Sequence, residues 1–231
     1  MGSEMCIRDR IFTACSPKAL TDKTFEFENI ESKCEQSLIV PNNEQVAWIT
    51  GSQVCYCAEA FQGVSREDSD APALSVLATV LRNGFLHTAI REKGGAYGAG
   101  ASNDTVTNTF KFFSYRHPKC SETFTAFKEA IEWSKTSISE QHLEEAILGV
   151  VSSIDKPLSP VGEAKNDFNF NLENISTKQR LEMRQRVINC SIDDLVRVSE
   201  KYLTKDSNKS ILAGEAYKEE ASSLGLILRE V

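Results

Sequence analysis

The sequence is poor in histidine and proline and has no long apolar stretch. Its 231 residues include three His and six Pro. No apolar run approaches the roughly 20 residues that cross a bilayer, so no membrane partner is expected. The opening MGSEMCIRDR lacks the apolar h-region of a signal peptide, and residues 1–10 read as a non-native tail. There is no basic block either: 33 acidic residues face 26 basic ones, for a net charge of −7. Such a chain lacks the Lys and Arg clusters that displace counterions from phosphates, so no nucleic-acid partner is expected. The 12 Gly and a 41% hydrophobic share exclude collagen-like and low-complexity classes. What remains is an acidic globular chain, long enough to bury a sizeable core.

The seven cysteines, Cys6, Cys15, Cys34, Cys55, Cys57, Cys120 and Cys190, are odd in number and scattered. That pattern indicates free, mostly buried thiols in a reducing compartment, the cytoplasm for a bacterial protein. Cys55 and Cys57 stand two apart in an expected strand and so share a face. A Cys-x-Cys pair without a second cluster favours packing over a metal or redox pair. The histidines, His87, His117 and His142, complete no zinc motif. HLEEA at His142 holds Ala146 where a second His would stand. A catalytic zinc takes three protein ligands, so no metal and no cofactor is expected in this chain.

Ile11–Ser16 reads as a short strand, and residues 17–45 are polar and unpatterned. Val46–Ala60 is rich in β-branched and aromatic residues, with a bend at Gly51-Ser52. Ser65–Asp70 is a charged loop. Ala71–Arg91 is the strongest helix, with Asp70 placed to cap it, Pro72 in its first turn and Gly94-Gly95 to end it. Its Leu74, Leu77, Ala78, Leu81, Phe85, Leu86, Ala89 and Ile90 cover more than one stripe, which predicts burial on several sides. Strands follow over Ala96–Ser102 and Thr109–Arg116, with a turn starting at Asn103-Asp104. Phe110, Phe112 and Ser114 fall on one face of the second.

Helices are expected over Glu122–Lys135 and Glu140–Ile154. In the latter Leu143, Ala146, Ile147, Val150, Val151 and Ile154 repeat at helical spacing, Ser139 can cap, and Asp155–Pro160 stops the run. Residues 161–176 are polar and carry an aromatic pair, Phe168 and Phe170. Helices over Lys178–Ile188 and Ile192–Leu203 come next, the second opened by a capping-box-like Ser191 and Asp194. A strand over Ser210–Gly214 and a polar tail complete the chain. This order indicates an α+β fold: a mixed, mostly antiparallel sheet with helices packed on one face.

Leu81–Gly100 carries the chemistry. A helix delivers Arg91 in its last turn, and a double-glycine corner sets Tyr97 at the start of a strand. The guanidinium and the phenol are hydrogen-bond donors suited to a peptide carbonyl or its oxyanion. Gly94, Gly95, Gly98 and Gly100 leave room for a ligand backbone. The same residues also fit a plain structural role, since Arg at a helix C-terminus favours the helix dipole and Tyr often starts a strand. A phosphate loop is excluded, because these glycines follow a helix instead of preceding one.

REKGGAYGAG, then FKFFSYRHPKCSETFTAF (Phe110–Phe127), then EEAILGVVSSIDKPLSPVGEAK (Glu144–Lys165), resembles the C-terminal region of insulinase-type (pitrilysin/insulysin) zinc metallopeptidases. The presequence-protease branch is the most similar, over about residues 46–205. His117 departs from the acidic residue of the SYRxP block. The resemblance implies four similar α+β domains enclosing a chamber, with zinc on a His-x-x-Glu-His motif in the N-terminal catalytic domain. It places the family's substrate-contacting Arg on Arg91, which would grip the peptide main chain, and its Tyr on Tyr97, which would hydrogen-bond the scissile carbonyl. Gly94 and Gly95 would shape the corner.

On this resemblance, residues 11–40 are a junction from a preceding domain and residues 41–231 are the C-terminal domain. It would be the substrate-binding domain of a metalloendopeptidase degrading short unfolded peptides, inactive alone and partnered by the N-terminal domains of the same enzyme. The alternative is a non-catalytic peptide-binding subunit or adaptor of the same fold. Sequence upstream of Ile11 carrying His-x-x-Glu-His would distinguish them.

Overall fold

In the computed structural model, which describes residues 44–230, alternation along the strands divides one sheet into a buried and an open face. The chain forms two units: Asn43–Asp155 with Leu181–Val231, and a second containing Lys156–Arg180. The expected strand Ile11–Ser16 lies outside the described residues.

The first unit holds the whole sheet. Its strands are Val46–Thr50 (β1), Cys55–Gln62 (β2), Gly98–Asp104 (β3), Thr109–His117 (β4), Ser207–Gly214 (β5) and Ile227–Glu230 (β6), in the order β3-β4-β2-β5-β1-β6. The β3–β4, β4–β2 and β2–β5 pairs are antiparallel, and β1 runs parallel to both β5 and β6. The sheet is mixed and open, as the α+β reading requires. The bend at Gly51 does separate β1 from β2, but β5 from the far end of the chain lies between them.

Cys55, Cys57 and Phe61 of β2, Phe110, Phe112 and Ser114 of β4, and Ile211 and Ala213 of β5 are buried on one face. The intervening Trp48, Tyr56, Tyr115 and Leu212 are exposed on the other. Helices Ala71–Leu81 (α1), Cys120–Thr136 (α2), Glu140–Ile154 (α3) and Ile192–Tyr202 (α6, numbered in chain order) pack with the buried side. Phe112 stacks on Phe127 of α2 at 5.3 Å and meets Phe61 and Phe110 edge-on. Such pairs contribute roughly 0.5–1.5 kcal/mol each beyond area burial.

The long helix has two windings. Ala71–Leu81 is α-helical, with every residue buried except Ser75 and Thr79; Arg82–Lys93 continues as a π-helix with Leu86 and Ile90 buried. By length and hydropathy Ala71–Lys93 is also apolar enough to cross a membrane, contrary to the sequence reading. Its buried α half accounts for that apolarity, since it forms the core against β3, α3 and α6. Asp70 precedes the helix but its carboxylate does not cap it. It is buried and accepts hydrogen bonds from Arg197 and Lys201 at 2.7 Å and from Tyr202 at 2.8 Å. Burial alone would raise its pKa; the bonds from Lys201, Arg197 and Tyr202 outweigh that and hold it at about 2.

Ser139 caps α3 with its hydroxyl on the His142 amide, and the His142 ring accepts from the Ser139 amide in return. Ser191 and Asp194 form the matching box at α6. The helix Thr177–Ile188 (α5) buries Met183 and Val187 in the first unit. The polar tail is more ordered in type than the sequence indicates: it forms a short helix, Lys218–Ser223 (α7), and the edge strand β6.

The second unit contributes a helix over Pro160–Leu172 (α4), where the sequence shows no period. Its signal is the terminus: Ser159 accepts from the Gly162 amide, and Pro160 suits the first turn. No residue of α4 is buried, so there is no apolar stripe to detect.

Candidate functional site

The corner at residues 91–98 is built by the change from helix to strand. The π-helix ends at Gly94, Gly95 takes φ +77°, and the Ala96 amide returns to the Ile90 carbonyl at 3.1 Å. Gly95 is where a left-handed backbone is required. Gly94 is needed for space: a Cβ there would stand 2.6 Å from the Ile90 oxygen and 2.7 Å from the His117 ring.

The other two glycines do not leave room for a ligand. A Cβ on Gly98 would strike the Tyr115 ring at 2.5 Å, and one on Gly100 would meet Phe113 at 2.9 Å. The protein's own aromatic side chains occupy that space. Gly98 and Gly100 therefore serve packing across the β3–β4 pair.

Arg91 is exposed, and its Nη1 lies 3.1 Å from His87 Nε2. Guanidinium nitrogens only donate, so Nε2 accepts this bond. The other ring nitrogen, Nδ1, faces Glu92 Oε1 at 3.4 Å. His87 thus serves hydrogen bonding at the surface.

Tyr97 is 65% exposed. Its ring lies 5.6 Å from the Tyr115 ring, and the Arg116 guanidinium sits 5.7 Å above its centroid. A β-bulge produces this arrangement. Cys57 pairs with Ser114 but Cys55 with His117, so β4 holds an extra residue, and Arg116 adopts φ +57°. Bulges bend a strand and re-aim its side chains. Arg116 and Tyr115 were not candidates from sequence, because their approach to Tyr97 depends on cross-strand register. Arg91 and Tyr97 flank one exposed corner, with their contacts on different partners. A groove of about 510 Å³ beside the π-helix, lined by Phe85, Lys93, Glu122 and Trp133, includes neither.

The histidines form no metal group. His117 is buried, its Nδ1 lies against the amide and carbonyl of Lys119 and its ring backs onto Gly94, while His142 serves the α3 cap. The described residues do not fit the catalytic zinc, which the resemblance places in the N-terminal domain. One group among the described residues could hold a metal: Cys55, Cys57 and Cys120, all buried, with sulfurs within 4.8 Å of one another. Hydrogen bonds from Cys120 and Cys57 push the Cys55 thiol down, and the same sharing pushes the Cys57 and Cys120 thiols up. The structure thus adds a third thiol to the Cys-x-Cys pair.

Comparison with known proteins fits this fold. The family model for the PreP C-terminal domain matches residues 46–213. The chain belongs to the PreP C-terminal domain family. It is 37% identical over 168 residues to the mitochondrial presequence protease of Yarrowia lipolytica, covering 72% of this chain and 17% of that protein. The Mus musculus mitochondrial presequence protease is 33% identical over 187 residues, covering 80% and 16%. The chain thus matches about a sixth of the length of these relatives.

Solved structures share the fold at low identity. A Helicobacter pylori protease gives a TM-score of 0.63 at 20% identity, covering 75% of this chain and 45% of that one. The peptidase M16 inactive domain from Pseudomonas fluorescens gives 0.59 at 15% identity, covering 74% and 43%.

Proposed function

We propose that the chain is the substrate-binding C-terminal domain of a zinc metalloendopeptidase that degrades short unfolded peptides, and that it forms part of the chamber wall. Arg91 binds the peptide main chain, and one of its five donors is engaged with His87. Tyr97 donates to the scissile carbonyl and to the oxyanion that develops there. Gly94 and Gly95 hold the corner that carries both. The metal would supply Lewis-acid polarisation from another domain, and the histidines among the described residues offer it no ligand set.

The observation that carries this reading is the state of Tyr97. Its ring is held by Tyr115 and Arg116, yet it stays 65% exposed. A core tyrosine would be covered, and a loose surface tyrosine would lack the two partners. Held and exposed together describe a preorganised donor, which is what oxyanion stabilisation requires.

The test is kinetic, in the intact enzyme. Tyr97→Phe keeps the ring and removes one donor; kcat is expected to fall by about 10²–10³-fold, or roughly 2.7–4 kcal/mol, with little change in KM. Arg91→Ala is expected to raise KM at least as much as it lowers kcat. Full activity in Tyr97→Phe would remove the oxyanion role, and an effect confined to peptide affinity would favour the adaptor reading.

A further inference from the structure

The three-thiol cluster lies on the buried side of the sheet, with His117 between it and Gly94. Cys55 and Cys57 come from the buried face of β2, and Cys120 is the first residue of α2. Cys55, Cys57 and Cys120 are 0%, 2% and 0% exposed. The Cys55 and Cys57 sulfurs are 3.8 Å apart, and all three lie within 4.8 Å of one another. Metal–thiolate bonds of about 2.3 Å set ligand sulfurs roughly 3.8–4.0 Å apart at tetrahedral to trigonal angles. The observed spacing therefore needs only small side-chain shifts to close on one ion.

The surroundings seal the cluster and limit the ligand number. The Tyr217 hydroxyl donates to the Gln53 carbonyl over the β1–β2 bend, and Glu220 accepts from the Ser121 amide and hydroxyl. His117 adjoins the group without completing it: its carbonyl accepts from the Cys55 thiol at 3.2 Å, its Nδ1 lies against the Lys119 backbone and its Nε2 faces Gly94, and only the three sulfurs lie mutually within 4.8 Å. Three sulfurs and no fourth ligand among the described residues suit a soft ion of low coordination number. Zinc would require a fourth ligand. Cys120 also opens a 17-residue helix, whose N-terminal dipole favours thiolate charge.

We propose that Cys55, Cys57 and Cys120 form a buried trigonal site for a single Cu(I) ion. Copper remains Cu(I) throughout; each thiol that becomes a thiolate ligand releases its proton to solvent, and no electron is transferred. The ion would tie the start of β2 to the start of α2, so its expected effect is on stability. This proposal does not depend on the peptidase reading, since it concerns residues that touch neither Arg91 nor Tyr97.

The test uses the 231-residue chain, reduced and anaerobic, with Cys6, Cys15, Cys34 and Cys190 replaced by Ser. Cu(I) is titrated against the chelator bicinchoninate, and in parallel one equivalent is supplied during refolding, so that a sealed site still loads. The expected result is one Cu(I) per chain with a raised melting temperature. Cys120→Ser and Cys57→Ser should each weaken binding by more than the roughly 10–100-fold that loss of an outer-shell partner costs. Circular dichroism confirms that each variant is folded, and Cys120→Ala replaces Cys120→Ser if the latter is not. No stoichiometric Cu(I) by either route overturns the proposal, as does binding retained in both variants. One tightly held Zn(II) in place of Cu(I) would overturn the three-ligand assignment.

Discussion

Ala71–Leu81 and Arg82–Lys93 form one continuous helix with two different burdens. The first half is α-wound and almost wholly buried against β3, α3 and α6. The second half is π-wound, buries Leu86 and Ile90, and exposes Arg91 at its end. π-winding is rare and occurs often at functional sites. The buried half anchors the element, so the exposed half can carry an unusual winding and a presented guanidinium. Stability and presentation are thus separated along one helix.

The largest expected contrast is core truncation. Leu77→Ala empties a fully buried position and should cost about 3 kcal/mol, within the usual range of roughly 2–5, read as a lower denaturant midpoint. A loss below about 1 kcal/mol would show that the α half is not the anchor.

Next comes the Asp70 clamp, which ties the start of the buried half to α6. Asp70→Asn should cost about 2 kcal/mol at pH 7, since the carboxyl falls from an ordinary value near 3.8 to about 2 on folding. The folded pKa is depressed, so this stabilisation is full above about pH 4 and is lost as pH falls through about 2. The two proteins should therefore converge in acid. A stability difference that holds unchanged down to about pH 2 would mean that packing, not charge, explains it.

A smaller effect tests the corner itself. Gly95 has φ +77°, and a Cβ added there would meet nothing within 4 Å, so Gly95→Ala isolates backbone strain. It should cost about 1 kcal/mol without disturbing neighbours. A neutral or stabilising Gly95→Ala would show that the turn does not need the left-handed conformation.

The smallest expected stability change is at Arg91. Arg91→Ala should shift the unfolding free energy by no more than about 0.5 kcal/mol, because the side chain is exposed. Pronounced destabilisation would make Arg91 a helix-terminal stabiliser and would remove the separation between the halves.

The sequence by itself determined the elements whose causes are local. The period of Leu143 to Ile154, the Ser139 and Ser191 caps, the Asp104 turn and the alternation of Phe110, Phe112 and Ser114 all act within about a dozen residues. Arg91, Gly94, Gly95 and Tyr97 were legible for the same reason, as one short helix–corner–strand segment. Helix α4 was missed because it has a cap but no buried stripe. Only the tertiary structure decided the rest. It inserted β5 between β1 and β2, gave Asp70 to Arg197 and Lys201 instead of to its own helix, laid Arg116 over Tyr97 through a bulge, and brought Cys120 to Cys55 and Cys57. Each of these joins residues whose pairing depends on strand register and helix packing, and no local period or cap encodes which distant partner will fill a buried or cross-strand position.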